Sequence, residues 1–130
     1  MKASKKIVET AIVKMEIQDD IMIIVIKDDA DIDIDNVKEA VEVRKKMQGG
    51  KPMLVLIDNT GIWQIDKEAN SYSASKEVVA LSKAVAVLTD SSLPKRLIGN
   101  FFIKLNKQHM PTKLFNNKEK ALAWLNSFKD

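Results

Sequence analysis

Apolar residues recur along the chain in patterns that are typical of short strands and amphipathic helices. Every second residue from Ala11 to Ile17 is apolar, which indicates a strand with one face in the core and the other in water. The run Ile21–Ile26 is apolar throughout and follows directly after Asp19-Asp20. A tight turn between two strand patterns predicts an N-terminal antiparallel hairpin.

The run Met53–Ile57 predicts the strand around which the rest of the chain packs. Its five consecutive apolar residues are bounded by Pro52 and by the turn formers Asp58-Asn59-Thr60-Gly61, as expected for a strand that is buried on both faces. Two further short strands are predicted at Ala84–Leu88 and Thr112–Phe115. In open α/β sheets ligands and partners meet the protein at the carboxyl ends of the parallel strands. The segment Asp58–Asp66 is therefore the first candidate for a functional surface.

Four stretches show the spacing of amphipathic helices. The first begins at an N-capping Asp33 or Asp35 and ends at Gly49-Gly50, and the second begins near Asp66. The third carries the apolar stripe Leu97, Ile98, Phe101, Phe102 and Leu105, and the fourth is expected to begin with a capping box formed by Asn116 and Glu119. The element order β-β-α-β-α-β-α-β-α predicts one α/β domain over residues 1–130, with a mixed five-stranded sheet and four helices. If sequential strands are neighbours, the helices would share one face of the sheet.

Five aspartates crowd the segment Asp28–Asp35 and raise the question of a cation site. A calcium loop needs a sharply bent chain, usually with a glycine and a distal glutamate. This segment has no glycine, and Ile32 and Ile34 occupy alternate positions. We therefore favour an exposed loop that leads into a helix N-terminus, and we predict no metal site.

The composition argues against most kinds of enzyme and against a membrane protein. The 130 residues are 45% hydrophobic and 30% charged, they include no cysteine, and His109 is the sole histidine. No apolar run is long enough to span a bilayer, and the few glycines form no phosphate-binding loop. We expect a cytoplasmic protein that is not an enzyme and uses no cofactor, with His109 exposed at a helix end.

Charge is unevenly distributed between the two parts of the chain. Residues 1–90 hold 13 Lys and Arg against 16 Asp and Glu, a net −3, whereas residues 91–130 hold 8 against 2, a net +6. The basic part lacks interleaved aromatic residues and any nucleic-acid-binding motif. It predicts weak, salt-sensitive adsorption to DNA and no specific nucleic-acid site.

The segment Val55–Asp66 resembles the STAS domain (sulfate transporter and anti-sigma factor antagonist). In that family a central strand is followed by an Asp-containing turn and by a second short segment that opens a helix. The segments Thr112–Asn117 and Lys118–Leu125 are similar to the STAS/SEC14-like group of small bacterial proteins. The resemblance covers essentially the whole element order, and it implies a STAS-like (SpoIIAA-like) fold and a protein-interaction or regulatory role.

The chain departs from the family at the position of its regulatory switch. Anti-sigma factor antagonists carry a phosphorylatable serine just after the motif aspartate, whereas here Asp66 is followed by Lys67 and Glu68. The resemblance therefore implies an interaction module that lacks this phospho-switch. The candidate partner-binding residues are Asp58, Asn59, Thr60, Trp63, Asp66 and Glu68, with Trp63 a possible anchor or a cover for the core.

Two further expectations concern an alternative function and self-association. The SEC14-like resemblance allows binding of a lipid or another apolar ligand, in a pocket beneath the third helix near Phe101, Phe102 and Leu105. If the helices share one face, the apolar strands Ile21–Ile26 and Met53–Ile57 leave a bare second face. Monomers seldom expose such a patch, so either the chain covers it with its own N-terminal segment or a helix, or a second copy covers it, and we expect the homodimer.

Overall fold

A central sheet of six strands forms the body of the domain, seen in a computed structural model that describes residues 7–60, 63–89 and 103–129, apart from the Trp63 side chain. The strands lie in the order β1-β2-β3-β5-β7-β8. Their bounds are β1 Val8–Glu9, β2 Val13–Gln18, β3 Ile21–Ile26, β5 Met53–Asp58, β7 Ser82–Leu88 and β8 Thr112–Phe115. A separate two-stranded sheet pairs β4 (Ala30–Ile32) with β6 (Trp63–Ile65) in parallel.

The predicted hairpin is confirmed. Strands β2 and β3 pair antiparallel, and they are joined at Asp19 and Asp20, which both have positive φ angles of 49° and 65°. Two successive residues with positive φ are what a tight hairpin turn with the correct twist requires, and aspartate tolerates this conformation better than most residues. The short β1 pairs antiparallel with β2 and adds a sixth strand to the five that were predicted.

The predicted central strand is also confirmed. Strands β3, β5, β7 and β8 run parallel, with β5 between β3 and β7. Leu54, Val55 and Leu56 are buried, as expected for a strand covered on both faces.

Helices cover both faces of the sheet, so the expectation that they share one face is wrong. Helices α1 (Ile34–Gln48), α2 (Lys67–Ser73) and α3 (Lys76–Val79) lie over the face that carries Met22, Val55 and Val85. Helix α5 (Lys118–Asn126) packs Ala121 and Leu125 on the opposite face. The residues of that opposite face alternate with the first set and are Ile21, Ile23, Leu54, Leu56, Ala84, Ala86 and Leu88.

Small side chains explain how α5 reaches the second face. Ala84 and Ala86 in β7 are fully buried and belong to the same core cluster as Ala121 of α5. Small side chains on both elements let the helix approach the strand closely. Just beyond α5, Lys129 donates from Nζ to the carbonyl of Asp19 at 2.5 Å, in the turn between β2 and β3. The chain thus covers this face itself, and the argument for a homodimer from a bare sheet no longer applies.

Helix α1 begins and ends as its sequence predicts. Asp33 is the N-cap, and it forms a capping box with Asn36: the Asp33 side chain accepts from the Asn36 amide at 2.8 Å, and the Asn36 side chain accepts from the Asp33 amide at 2.9 Å. Asp35 lies inside the first turn, where its charge suits the helix dipole. Gly49 ends the helix in the left-handed conformation with φ 64°, which glycine adopts without strain.

Part of the acidic segment is a strand rather than an exposed loop, which corrects the sequence expectation. Ala30 and Ile32 are buried while Asp31 between them is exposed. This alternation is the period of a strand, and β4 pairs with β6 in the register Ala30 with Trp63 and Ile32 with Ile65. One aspartate, Asp31, therefore lies within a short paired strand and the other four flank it, and all five are exposed.

The second predicted helix is divided into two. Asp66 caps α2 as predicted and accepts from the Ala69 amide at 2.7 Å, but the helix ends at Ala74. Ser75 then caps α3 by accepting from the Val78 amide at 3.5 Å. An amide in the first turn of a new helix has no intrahelical carbonyl to bond. Serine favours a helix start because its hydroxyl can accept from that amide.

The last two helices complete the fold. Residues 103–107 are helical (α4), and His109 follows with φ 58° and an exposed side chain, as predicted for a residue at a helix end. The predicted stripe residues Leu97, Ile98, Phe101 and Phe102 lie outside the described residues. Helix α5 is capped by Asn117 instead of the predicted Asn116, because the Asn117 side chain accepts from the Lys120 amide at 3.0 Å.

Candidate functional site

The turn after β5 holds Asp58 and Thr60 in a fixed arrangement. The Asp58 carboxylate accepts from the backbone amide of Thr60 at 3.0 Å and from its hydroxyl at 2.6 Å. An aspartate that bonds two residues ahead mimics a backbone turn and shapes the loop without help from other elements. Thr60 is exposed and Asp58 is half-buried, so this turn presents polar groups at the carboxyl end of the central strand.

Asp66 and Glu68 lie at the start of α2, where Asp66 is the N-cap and Glu68 stands exposed in the first turn. The Asp66 amide donates to the Ile32 carbonyl at 3.1 Å, which fixes the helix start to the small sheet. The backbone of Trp63 pairs with Ala30 in that sheet. The places of Asp66 and Glu68 follow from local sequence. The Asp66 carboxylate accepts a hydrogen bond from a free amide of the helix N-terminus, and the negative charge of Glu68 suits the helix dipole.

The six predicted partner-binding residues fall into two groups. Asp58, Asn59 and Thr60 lie at the end of the central strand and just after it, whereas Trp63 in β6 leads to Asp66 and Glu68 at the start of α2. No hydrogen bond or ion pair within the described ranges joins the two groups. Glu68 instead borders a cleft between α1 and α2, together with Lys38, Glu42, Tyr72 and Glu77.

Paired charges organise this cleft between α1 and α2. Lys45 on α1 bonds Glu77 at 3.0 Å and Glu42 at 3.3 Å, and the Tyr72 hydroxyl donates to Glu77 at 3.0 Å. The bond from Lys45 lowers the pKa of the Glu77 carboxyl below its usual value, and the bond to Glu77 raises the pKa of Lys45. Lys38 lies 5.7 Å from the centre of the Tyr72 ring. These ion pairs are exposed and contribute little to stability, so their main effect is on the orientation of the helices. None of them includes Glu68, which has no ion-pair partner among the described residues.

Asn59 differs from its two neighbours because it is buried. Its amide donates to the Leu88 carbonyl at 2.8 Å, which extends the pairing of β5 with β7 by one residue. The residue is 9% exposed, and within the described part of the chain its side-chain oxygen Oδ1 has no hydrogen-bond partner. A buried acceptor without a donor costs on the order of 1–3 kcal/mol, so this oxygen requires an explanation.

An apolar cavity of ≈ 180 Å³ lies next to Asn59, between the sheet and helices α1 to α3. Its floor is formed by sheet residues that include Ile24, Ile57 and Val87, and its roof includes Val37 and Val78. Polar side chains interrupt this apolar lining at a few points, namely Arg44, Asn59, Asn70, Ser73 and Ser82. Cavities of about 150 Å³ with apolar walls can hold small apolar molecules, so the domain contains space for a ligand.

Arg44 is the charged member of the cavity lining. It is 6% exposed and donates from Nε to Gln48 at 2.7 Å, and from Nη2 to the Leu81 carbonyl at 3.1 Å and to Ser82 Oγ at 2.9 Å. All three acceptors are neutral, and no carboxylate pairs with Arg44 in the described part of the chain. Burial lowers the pKa of its guanidinium to about 10, so the group stays protonated at neutral pH.

Sequence analysis did not single out Arg44, although a signal was present. The buried residues of α1 are Val37, Val41, Arg44 and Gln48, which are spaced by four, three and four. This spacing places the arginine and the glutamine on the same stripe as the two valines. A charged residue on the core stripe of a helix is the signal that could have found it.

Of the three residues named for the alternative ligand site, Leu105 can be placed. It is buried on α4, borders the cavity, and packs with Ala74 and Val79. Phe101 and Phe102 lie outside the described residues. Most of the residues that line the cavity belong to the sheet and to α1, α2 and α3, so Leu105 on α4 is one part of a lining that extends beyond the position that the sequence suggested.

Family comparison places the chain among known sequences. The family described as "Domain of unknown function (DUF7793)" matches residues 15–129. The chain belongs to the DUF7793 family. No functionally curated protein matches it.

Solved structures identify the fold of this DUF7793 domain. An uncharacterized protein from Shewanella loihica PV-4, assigned to the DUF3478 family and described as having a SpoIIAA-like fold, matches with a TM-score of 0.62. The two chains share 15% sequence identity, and the match covers 96% of this chain and 98% of the other. The DUF7793 domain therefore has the STAS-like, SpoIIAA-like fold that the resemblance implied.

The remaining candidates for chemistry in the DUF7793 domain are few. Across residues 7–60, 63–89 and 103–129, no three His, Cys, Asp or Glu side chains come together as a possible metal site. In the same part of the chain, no helix combines the length and the apolar character needed to cross a membrane. The features that remain are the polar turn and helix start at the strand ends, the cleft at Glu68, and the cavity with Arg44 and Asn59.

Proposed function

We propose that this DUF7793 domain is a non-catalytic, cytoplasmic interaction module of the STAS-like type, which binds a protein partner without a serine phospho-switch. The observation that carries the proposal is the start of α2. Asp66 caps the helix as a motif aspartate would, but the next two positions hold Lys67 and Glu68, and both side chains are exposed. A phosphate at a helix N-terminus switches an interface by adding charge, whereas Glu68 supplies a permanent charge.

The proposed partner-binding surface is acidic. Asp58 and Thr60 present oxygen atoms on the rigid turn after β5, and Asp66 and Glu68 add carboxylates at the start of α2. Glu68 has no ion-pair partner among the described residues, so its charge is available to a second molecule. Complementary charge steers association and fixes orientation, and we expect a partner that offers a basic patch.

Charge reversal at Glu68 tests this surface. Glu68→Lys should abolish co-purification of the partner from the native host, because a cation would meet the partner's basic patch. Glu119→Lys is the matched control, since Glu119 is likewise an exposed first-turn residue, but on α5 at the opposite face of the sheet. Retention of the same partner by both variants would contradict the proposed surface.

Phosphosite mapping tests the absence of a switch. Incubation of the purified protein with host lysate and ATP should leave residues at the start of α2 unmodified. Thr60 and Ser71 are exposed hydroxyls close to that position. Stoichiometric phosphate on either residue would show that the regulated hydroxyl has moved within the domain and would overturn this part of the proposal.

Binding of an apolar small ligand is the second candidate function, and the cavity of ≈ 180 Å³ favours it. A cavity of this size with mostly apolar walls is unusual in an interior that is otherwise packed to the density of a crystal. Native mass spectrometry of protein purified from its own host provides the test. A reproducible mass increment that is lost on denaturation supports a ligand, and its absence, together with failure to bind added apolar molecules, contradicts this second function.

A further inference from the structure

The cavity carries a different polar group at each end, a guanidinium at one and an amide at the other. At one end the Arg44 guanidinium bonds Ser82 Oγ and the Leu81 carbonyl, beside the start of β7. At the other end Asn59 bonds the carbonyl of Leu88, the last residue of β7. Ser82 and Leu88 are six positions apart on one strand. At about 3.3 Å per residue, the two polar groups stand about 20 Å apart along the strand direction.

Apolar side chains line the path between these ends. Along the floor, Val85 and Val87 alternate with residues that face α5, and Val55 and Ile57 of β5 stand beside them in register. The α1 residues Val37, Ala40 and Val41 contribute to the opposite wall. A space with apolar walls that runs along the strands between two polar ends favours an extended hydrocarbon chain over a compact polar metabolite.

Arg44 sets the charge of the occupant. Its bonds to Gln48, Leu81 and Ser82 use Nε and Nη2, and Nη1 has no acceptor within the described residues. A buried charge is costly unless an opposite charge and good hydrogen bonds compensate it. A carboxylate is the natural complement of a guanidinium, since the two planar groups bond with matching geometry.

Asn59 supplies the second, independent sign of an occupant. This residue is nine-tenths buried and borders the same cavity, and among residues 7–60, 63–89 and 103–129 no donor lies within hydrogen-bond distance of its Oδ1. An amide oxygen accepts from a hydroxyl or an N–H group. A ligand that carries such a group at its far end would satisfy Asn59 while its apolar body fills the middle of the cavity.

We propose that the cavity binds a linear apolar monocarboxylate of the fatty-acid type, with its carboxylate on Arg44 and its hydrocarbon chain along β5 and β7 towards Asn59. A hydroxyl at the far end of the chain strengthens binding through Asn59 Oδ1. This inference rests on the second candidate function, ligand binding, and adds to it the class and the orientation of the ligand.

Calorimetric titration with three probes tests the proposal, with dodecanoate and its ω-hydroxy derivative kept below their micelle concentrations and dodecanol below its solubility limit. Dodecanoate should bind about ten- to a hundredfold more tightly than dodecanol, because a hydrogen bond to a charged group contributes that much. The probe ω-hydroxydodecanoate should bind about three- to tenfold more tightly than dodecanoate, through the neutral bond to Asn59. Equal affinity for dodecanoate and dodecanol would overturn the role of Arg44 while leaving apolar binding intact, and failure of all three probes would overturn both.

Two substitutions and a control locate the contacts. Arg44→Gln should remove the preference for dodecanoate over dodecanol and leave the affinity for dodecanol within about threefold, since glutamine removes the guanidinium and its charge but stays polar and adds no apolar bulk to the cavity. Lys83→Gln, which removes an exposed cation from β7 outside the cavity, should change neither affinity. Asn59→Leu should remove the preference for the ω-hydroxy probe. A preference for dodecanoate over dodecanol that survives in a folded Arg44→Gln protein contradicts the proposal. If Arg44→Gln fails to fold, the selectivity of the wild type among the three probes and the behaviour of Asn59→Leu still test it.

Discussion

Leu125 offers the sharpest test of how α5 contributes to stability. Its side chain is fully buried on the second face of the sheet. Replacing it by alanine removes three carbon groups worth roughly 0.8 kcal/mol each and leaves a cavity that adds to the loss, so Leu125→Ala should cost about 3 kcal/mol of unfolding free energy. Helix propensity cannot be the cause, because alanine is the better helix former.

Urea unfolding measures this loss directly. With a slope of about 1.5 kcal/mol per molar urea, typical of a small protein, a loss of 3 kcal/mol lowers the midpoint by about 2 M. Leu114→Ala is the matched control, since it makes the same chemical change at a side chain that is 43% exposed. We expect the control to cost no more than about 1 kcal/mol. Equal shifts of the two midpoints would show that α5 is not packed on the sheet as described.

Four further predictions concern local bonds and association. Asp66→Ala should cost about 1 kcal/mol in urea unfolding and Asp66→Asn much less, because an asparagine oxygen can still accept from the Ala69 amide. Folding lowers the pKa of Glu77 below 4.5, so its contribution to stability is present above pH 4.5 and is lost as pH falls through the folded pKa. The unfolding free energies of the wild type and of Glu77→Gln should therefore converge in acid. A difference between them that widens in acid would contradict this. Self-association remains a prediction, and sedimentation over a wide concentration range tests it, with a persistent monomer as the contrary result. DNA adsorption through lysines such as Lys113 should vanish as salt rises in a filter-binding assay, and sequence-selective binding at physiological salt would refute it.

The main sheet could be predicted because its signals are local. The apolar run Met53–Ile57 and the strand Thr112–Phe115 both appear in the fold with nearly the predicted bounds. Burial on both faces removes the need for alternation, so continuous runs mark the central strands. The choice between one helical face and two was not in the local pattern, because it depends on where α5 packs after the last strand.

The small sheet was missed because its pairing is distant in sequence. Aspartates on both sides of Ala30 and Ile32 suggested a loop, and the partner strand begins at Trp63. Sequence spacing could reveal the alternation, but it could not reveal the pairing. Tertiary contacts decide such short strands more than propensity does.

The candidate site was predictable in part for the same reason. Asn59 was named because it follows the central strand, yet its burial depends on the pairing of its amide with Leu88. The position of Arg44 on the core stripe of α1 could have been recognised from the sequence, but its acceptors at Leu81 and Ser82 could not, because they are 37 and 38 residues away. A polar residue acquires its role from partners that only the folded chain brings near.

The position of α5 also bears on how the domain is made in the cell. The second face of the sheet includes Ile21 and Ile23 in β3, whereas the helix that covers this face ends at Asn126. About a hundred residues must be synthesised between them, which takes roughly 5–20 s at ordinary rates of translation. During that interval an apolar sheet surface stands without its cover on the ribosome, and it is open to capture by chaperones or by a neighbouring nascent chain. Slow synthesis between β3 and α5 should therefore raise the demand for chaperones more than slow synthesis within β2, which precedes this interval.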